Sequence, residues 1–397
     1  MKTTVLLLPL VVWCGWLLRA ADPIVTNVRA AQRAGTQLVD ITYDVEDPDS
    51  SVLWVTVAVS DTGGATATVL ATSFTGDVGP NVSPGKGKRI VWDAGKDWPG
   101  EFSANMRFRV TAEDTSPAPG GMVLIPAGSF RMGDVIGDGY SDERPLHTVT
   151  VSAFYMDKYE VTRSLWNEVY AWAITHGYSF DNWGSGKATD HPVQEISWYD
   201  AVKWCNARSE KEGRLPAYYT SAAQTTVYRT GQVNVQNGWV KWDRGYRLPT
   251  EAQWEYAARG GVEGKRFPWG DTISQSQANY YSKSSYSYDI SPTRGYHPAY
   301  ATGGEPYTSP VDSVAANGYG LYDMAGNVWE WCWDWHGGYG SAAISDPRGP
   351  ASGSVRVFRG GGWLGNARRC RVSDRYYFRP DYWYNSIGFR SVLPPGQ

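Results

Sequence analysis

Apolar and polar residues alternate along three short stretches in the first third of the chain. The stretches are QLVDITYDV, VLWVTVAVS and MRFRVTAED, and clusters of turn-forming residues such as DPDSS and DTGG separate them. A period of two places every second side chain on one face of a strand, as in Ile41, Tyr43 and Val45. Short alternating strands without a helical pattern predict an all-β sandwich of the immunoglobulin or fibronectin kind over residues 22–115.

The pattern changes after a linker of Pro, Gly and Ser at residues 116–121. Three later stretches show helical spacing, and each follows a residue that can cap a helix. The three capping residues are Thr162, Ser197 and Thr250. The chain after the third stretch has no helical pattern and is rich in Gly, Tyr, Trp, Asn and Asp. Residues 122–393 are therefore predicted to form a loop-rich α+β domain.

The N-terminus, MKTTVLLLPLVVWCGWLLRAAD, has one Lys, an apolar run and then small residues. This pattern predicts a secretory signal peptide at residues 1–20. A single-span anchor is the alternative, but the apolar run from Val5 to Leu18 is short for a membrane span. We therefore expect an exported protein that is secreted, periplasmic or on the cell surface, without a membrane span after cleavage.

The composition argues against one class of function, nucleic-acid binding, and favours a binding surface rich in Trp and Tyr. A net charge of -3 over 397 residues argues against nucleic-acid binding, which needs a basic face. The 20 Trp and 26 Tyr outnumber the 10 Phe, and rings with a polar tip suit wet binding surfaces. Cleavage would remove Cys14 and leave Cys205, Cys332 and Cys370. Three cysteines permit one disulfide and one free thiol, in any of three pairings.

A set of motifs runs in order through residues 122–393. It consists of GMVLIPAGSFRMGD, DERPLHTVTVSAFYMDKYEVT, HPVQEISWYDAVKWCN, YRLPTEAQWEYAARGG, FPWGD, NGYGLYDMAGNVWEWCWDW, RVFRGGGW and IGFR. With these motifs the chain resembles the formylglycine-generating enzyme family, the sulfatase-modifying factors. The resemblance implies a C-type-lectin-like fold that is poor in regular structure and carries function in its C-terminal loops.

The resemblance also implies a copper site. Enzymes of the family oxidise a sulfatase cysteine to formylglycine with O₂ and a Cu(I) ion held by two thiolates. The family pattern is GGS, two residues, Cys, four residues, Cys. The stretch RGGGWLGNARRC keeps the second cysteine, Cys370, but has Gly365 at the first and Gly362 at the serine. One thiolate cannot form a two-coordinate Cu(I) site, so a non-catalytic scaffold without copper is predicted.

Two alternatives for this stretch stay open. In the first, the protein is a formylglycine-generating oxidase, and Cys205 or Cys332 supplies the second sulfur in a fold that differs from the family's. In the second, Cys370 has no chemical role and is a buried small hydrophobe or half of a disulfide.

Calcium is the second cofactor that the resemblance implies. GNVWEW offers the side chain of Asn327, the carbonyl of Val328 and the carboxylate of Glu330, and Ca²⁺ accepts mixed oxygen ligands of this kind. The alternative is that Asn327 and Glu330 only form hydrogen bonds within the loop. A second family site would fall on Asn279, the carbonyl of Tyr280, and Thr302 or Gly303 in place of an aspartate.

The last loop is the predicted binding surface. Residues 356–390 hold eight Arg and two Asp, together with the aromatic run YYFRPDYWY. Arg, Tyr and Trp are the residue types that dominate binding hot spots. The predicted ligand-binding residues are Tyr376, Tyr377, Arg379, Tyr382, Trp383 and Tyr384. We expect a protein or an anionic glycan as the ligand, and the alternative is that these rings fill the core.

The same loop is similar to the variable region of proteins that retroelements diversify for ligand display. A retroelement-diversified display protein is therefore an alternative function. A structural envelope or matrix protein, assembled through the aromatic loops, is another.

Overall fold

The computed structural model describes residues 23–48, 53–64, 67–114 and 120–395. The predicted signal peptide and most of the predicted linker lie outside these residues. The α-helices are α1 (Ala94–Asp97), α2 (Arg163–Ile174), α3 (Trp198–Lys211) and α4 (Glu251–Arg259). The strands are β1 (Ile24–Gln32), β2 (Leu38–Glu46), β3 (Leu53–Ser60), β4 (Phe74–Gly76), β5 (Gly79–Val82), β6 (Gly85–Asp93), β7 (Arg107–Asp114), β8 (Met122–Ile125), β9 (Gly128–Met132), β10 (His147–Val151), β11 (Phe154–Asp157), β12 (Trp329–Trp335), β13 (Ile344–Ser345), β14 (Arg356–Arg359), β15 (Tyr376–Phe378), β16 (Ile387–Gly388) and β17 (Val392–Leu393).

The N-terminal strands form two antiparallel sheets, with strand orders β1-β2-β6-β4 and β5-β3-β7. Residues of both sheets share one hydrophobic cluster, which includes Ile41, Val55 and Val110. The alternating positions thus point to a common core, as the period of two requires. The immunoglobulin or fibronectin assignment of this unit stays a prediction.

The C-terminal part is mixed α and β, with few helices and three small sheets. Their strand orders are β13-β10-β9, β17-β11-β8 and β15-β14-β12-β16. The three longer helices begin at the predicted caps, where the hydroxyls of Thr162, Ser197 and Thr250 accept hydrogen bonds from backbone N–H groups in the first turn. Gly260 ends α4 in the left-handed conformation, with a φ of 57°.

The sequence pattern missed β12, whose sequence is WEWCWDW. Every residue of this strand is buried, because helices and sheets cover both of its faces. A strand buried on both faces shows no alternation of apolar and polar residues. β12 pairs with β14 and β16, and β14 in turn pairs with β15. This sheet therefore fixes the last loop, residues 356–390, against the core.

Within the described ranges, no helix is both long and apolar enough to cross a membrane.

Candidate functional site

Cys370 ends a short 3₁₀ turn, Ala367–Cys370, that begins where the side chain of Asn366 accepts a hydrogen bond from the N–H of Arg368. The thiol is fully buried in a cluster with Phe267 and Tyr280. Burial raises the pKa of the Cys370 thiol, and the nearby carboxylates of Asp374 and Asp289 raise it further. A buried neutral thiol is a poor ligand and a poor nucleophile.

The other two cysteines do not lie beside Cys370. Cys205 belongs to the cluster around α2 and α3, and Cys332 belongs to a separate cluster that includes Trp254 of α4. All three are buried free thiols. The described residues therefore offer no second sulfur at the copper position, and the donor set does not fit a two-thiolate Cu(I) site. The geometry agrees with the alternative in which Cys370 acts as a small buried hydrophobe.

The backbone itself does not demand glycine at the positions of the missing side chains. Gly360 and Gly361 have left-handed φ angles of 94° and 76°, whereas Gly362 and Gly365 do not lie in that region. A Cβ added at Gly365 would approach the Cβ of Arg369 and the carbonyl oxygen of Gly362 to 3.3 Å. Small shifts of these neighbours would admit a cysteine, so the ligand is missing from the sequence and not blocked by the fold.

The first predicted calcium site is built around the start of β12. Both oxygens of Glu330 already accept hydrogen bonds from Arg390, at 2.7 and 2.8 Å, and one also accepts from the indole of Trp254 at 2.8 Å. The side-chain oxygen of Asn327 accepts from the N–H of Ser309 at 3.0 Å. Two of the three predicted ligand groups thus already accept hydrogen bonds from other groups of the protein.

Glu160 also lies at this place, and no pattern in the sequence marks its carboxylate as part of the site. It accepts hydrogen bonds from the amide of Asn327 at 3.1 Å and from the N–H of Val328 at 3.3 Å. Burial, with Asp323 and Glu330 nearby, raises the pKa of Glu160 well above its usual value. One oxygen of Asp323 is buried without a hydrogen-bond partner. This excess of buried carboxylates is what a divalent cation would compensate.

The second predicted calcium site lacks its carboxylate. The side-chain oxygen of Asn279 is buried without a partner, which would suit a cation. The carbonyl of Tyr280, however, accepts a hydrogen bond from the Gln275 amide at 3.1 Å. The ammonium of Lys187 donates to the carbonyl of Thr302 at 2.8 Å, at the position where the family's aspartate would lie. Across the described residues, no three His, Cys, Asp or Glu side chains are placed to hold a metal.

Most of the predicted ligand-binding residues lie at the surface. The rings of Tyr376, Tyr377, Trp383 and Tyr384 are between 39% and 50% exposed. Arg379 is exposed as well and pairs with Asp381 at 3.2 Å. Tyr382 differs, because its ring is half-buried and stacks on Phe378 with 3.8 Å between centroids. We call the four exposed rings the aromatic surface.

Side chains from distant parts of the chain extend the aromatic surface. Arg369 lies over the ring of Tyr376 at 4.6 Å and over that of Tyr140 at 4.9 Å. His336 stacks against Tyr377 with 3.8 Å between centroids. Tyr140 belongs to the loop after β9, and no local pattern in the sequence marks it or His336 as part of this surface.

Most arginines of residues 356–390 lie inside the protein, so the excess of positive charge in this stretch does not form a positive surface. The buried ones are Arg356, Arg359, Arg371, Arg375 and Arg390. All but Arg356 pair with buried carboxylates from other segments, namely Glu255, Glu143, Glu251 and Glu330. Arg356 instead lies between the rings of Trp198 and Trp335. The four ion pairs attach the loop to the core, because each joins an arginine of the loop to a buried carboxylate of another segment.

The chain is similar in sequence to known proteins. The model of the sulfatase-modifying factor enzyme 1-like domain matches residues 107–394. The chain belongs to this family. The formylglycine-generating enzyme of Streptomyces coelicolor is 35% identical over 297 residues, which cover 68% of this chain and 88% of that protein. Chaperone protein LppX of Paenibacillus barcinonensis is 34% identical over 259 residues, covering 64% and 81% of the two chains.

Solved structures of two members resemble this chain. Treponema denticola variable protein 1 has a TM-score of 0.53 and 31% identity, with 69% of this chain and 95% of that chain covered. The crystal structure of CarF has a TM-score of 0.51 and 28% identity, with 70% and 98% covered. The family model begins within β7, so the match includes the end of the N-terminal unit.

Proposed function

We propose that this member of the sulfatase-modifying factor family is a non-catalytic scaffold that binds a protein ligand through the aromatic surface. The observation that carries the proposal is the copper position, where Gly365 replaces one thiolate and the other, Cys370, is buried and neutral. Formylglycine formation by the family's copper chemistry would lack one of its two thiolate ligands here. A relative named as a chaperone supports the view that this fold also serves binding.

Surface charge favours a protein over an anionic glycan. Arg379 pairs with Asp381, and Arg369 lies 3.6 Å from Asp374. Arg368, which lies over the Tyr140 ring, is the remaining arginine of residues 356–390 that is not buried, and no described carboxylate pairs with it. A polyanionic glycan is recognised by several unpaired cations, whereas exposed Tyr and Trp rings with a single arginine resemble a protein-binding hot spot.

The experiment compares the proteins captured from the source organism's culture by wild type and by a Tyr377→Ala, Trp383→Ala double variant. Phe102→Ala, which removes an 84% exposed ring from the N-terminal unit, is the matched control. We expect a protein that wild type and control retain and the double variant loses, with circular dichroism unchanged in all three. Equal capture by all three, or retention of each on heparin at physiological salt, contradicts the proposal.

Ligand display with a diversified loop is a second candidate function. It is supported by the similarity to Treponema denticola variable protein 1, because the similar region covers 95% of that protein. It predicts a template repeat and a reverse transcriptase beside the gene, with codons for Tyr376 to Tyr384 differing between isolates. An invariant loop across isolates would contradict it.

Both candidate functions assume that the protein is exported. The predicted signal peptide supports export, and detection of the protein outside the cytoplasm would test it.

Calcium binding at Asn327 is part of the same proposal, with Glu160 as the carboxylate. The cluster of buried carboxyl groups there, those of Glu160, Asp323 and Glu330, supports it. Titration calorimetry with CaCl₂ on chelator-treated protein should show one site that Glu160→Gln removes, while an Asp181→Asn control, at an exposed acid, keeps it. Equal heats from the two variants would show that Glu160 holds no calcium.

A further inference from the structure

Arg247 is unusual among the buried arginines of the described chain. Six others have a carboxylate within 4.0 Å, and they are Arg208, Arg259, Arg359, Arg371, Arg375 and Arg390. Arg356 has none among the described residues, but it lies over two indole rings, those of Trp198 and Trp335. Arg247 is only 5% exposed, and the described residues place no carboxylate at that distance from it. Its Nη1 donates to the side-chain oxygen of Gln253 at 2.8 Å, while its Nε is buried without a partner. A buried cation in this state is costly unless an anion accompanies it.

A second arginine lies on the same aromatic ring. Arg247 lies over the indole of Trp242 at 5.2 Å from the centroid, and Arg348 lies over the same indole at 4.3 Å. Arg348 is exposed and has no ion-pair partner among the described residues. Two guanidinium groups on one ring repel each other, so the indole stabilises each cation but does not neutralise them.

The two guanidinium groups line one cavity of about 270 Å³ together with Trp242, Ser152 and Thr250. The volume is below that of a pocket for a drug-sized molecule and suits a small ion or a single acidic group. Asp346 also lines the cavity, but its carboxylate accepts hydrogen bonds from the N–H and hydroxyl of Ser152 at 2.8 and 2.7 Å. Asp243 lines the cavity too, and its carboxylate accepts hydrogen bonds from the guanidinium of Arg244 at 3.3 and 3.1 Å. The cavity therefore joins two cations that have no ion-pair partner to two carboxylates that are both already hydrogen-bonded.

We propose that this cavity is an anion-binding site, in which Arg247 and Arg348 hold a carboxylate or a tetrahedral oxyanion beside Trp242. Guanidinium groups form paired, charge-assisted hydrogen bonds with both kinds of anion. The hydroxyl of Thr250 lines the site as a further polar group. The site is separate from the aromatic surface and does not depend on the ligand proposed there. Burial lowers the pKa of Arg247 to about 10, and a bound anion would reverse that shift.

The test is titration calorimetry with sodium sulfate, phosphate and acetate at constant ionic strength in chloride. The variants are Arg348→Ala and Asp346→Asn, and Arg131→Ala is the control, because Arg131 is also exposed and belongs to the same domain. We expect one saturable site in wild type and control, a loss of affinity of about tenfold or more in Arg348→Ala, and tighter binding in Asp346→Asn.

The three salts distinguish the source of the anion. Saturation by sulfate and phosphate alone identifies a tetrahedral oxyanion, and saturation by acetate identifies a carboxylate group. Arg247 is left unchanged, because replacing a buried arginine that bonds the start of α4 would disturb folding. Absence of saturable heats with all three salts, or equal affinity in wild type and Arg348→Ala, overturns the proposal.

Discussion

The N-terminal unit and the C-terminal domain of this protein are held together in different ways. Ser60 is the one polar residue that is buried among the described residues before position 115, and the core there is a single apolar cluster. The C-terminal domain instead buries eight arginines and many carboxylates between its aromatic clusters. In the C-terminal domain, a cluster of arginines in the sequence therefore does not mark a positively charged surface.

The physical reason lies in how little regular structure the C-terminal domain has. Buried loops leave backbone carbonyls that a helix or a sheet would pair with backbone N–H groups, and arginine side chains with several donors bond to those carbonyls instead. Arg359, for example, donates to three backbone carbonyls as well as to Glu255. A buried arginine of this kind stabilises a loop whose backbone groups are not paired by a helix or a sheet.

Breaking one buried ion pair should have the largest effect on stability. Arg371 bonds Glu143 through two contacts of 2.7 and 2.6 Å, and both side chains are buried. Arg371→Ala leaves Glu143 as an unpaired buried charge, so we expect a loss of about 3–5 kcal/mol in the free energy of unfolding. Denaturant melts monitored by circular dichroism would measure it.

The matched control is Arg379→Ala, which removes an exposed arginine of the same loop that pairs with Asp381. Exposed ion pairs contribute about 0–1 kcal/mol. Equal losses in the two variants would show that the buried pair does not fasten the loop.

A smaller effect on stability is expected in the C-terminal domain when the pH rises from about 4 to about 7. Asp334 is buried, and burial with Glu251 nearby raises the pKa of its carboxyl to about 7. The folded protein therefore keeps a proton that the unfolded chain releases near pH 4, and stability falls as pH rises from about 4 to about 7. Asp334→Asn removes this loss, so its gain over wild type should be larger at pH 8 than at pH 5 by about 1–2 kcal/mol.

Thermal melts of both proteins at the two pH values would measure this difference. A gain that is the same at pH 5 and pH 8 would mean that Asp334 is already ionised in the folded protein, and the account of that buried carboxyl would be wrong.

The smallest change is expected in the N-terminal core. Ile41 is fully buried among apolar neighbours, and Ile41→Val removes one methylene group. We expect a loss of about 0.5–1.5 kcal/mol that is equal at pH 5 and pH 8 and insensitive to salt, because the surrounding core has no charges. Denaturant melts at both pH values would test it, and a clear pH dependence would remove the contrast between the two regions.

Sequence patterns predicted the elements that depend on local rules. The caps at Thr162, Ser197 and Thr250 follow from side chains that bond the next turn, and those helices begin there. The strand β12 could not be predicted, since its burial depends on layers that distant segments supply. The same limit explains why Glu160 and Tyr140 were missed near the candidate sites, and why the sequence did not decide which arginines of residues 356–390 are buried.

The central claim, that the copper site is absent, is tested most directly by Cu(I) titration of the reduced mature protein against a competing chelator. Wild type and Cys370→Ala should behave alike, without a tight site. Gly365→Cys, which the backbone at that position admits, should gain a one-to-one site that Cys370→Ala removes again. A tight site in wild type that is lost in Cys370→Ala would contradict the account and make oxidation of a sulfatase-derived cysteine peptide the next assay.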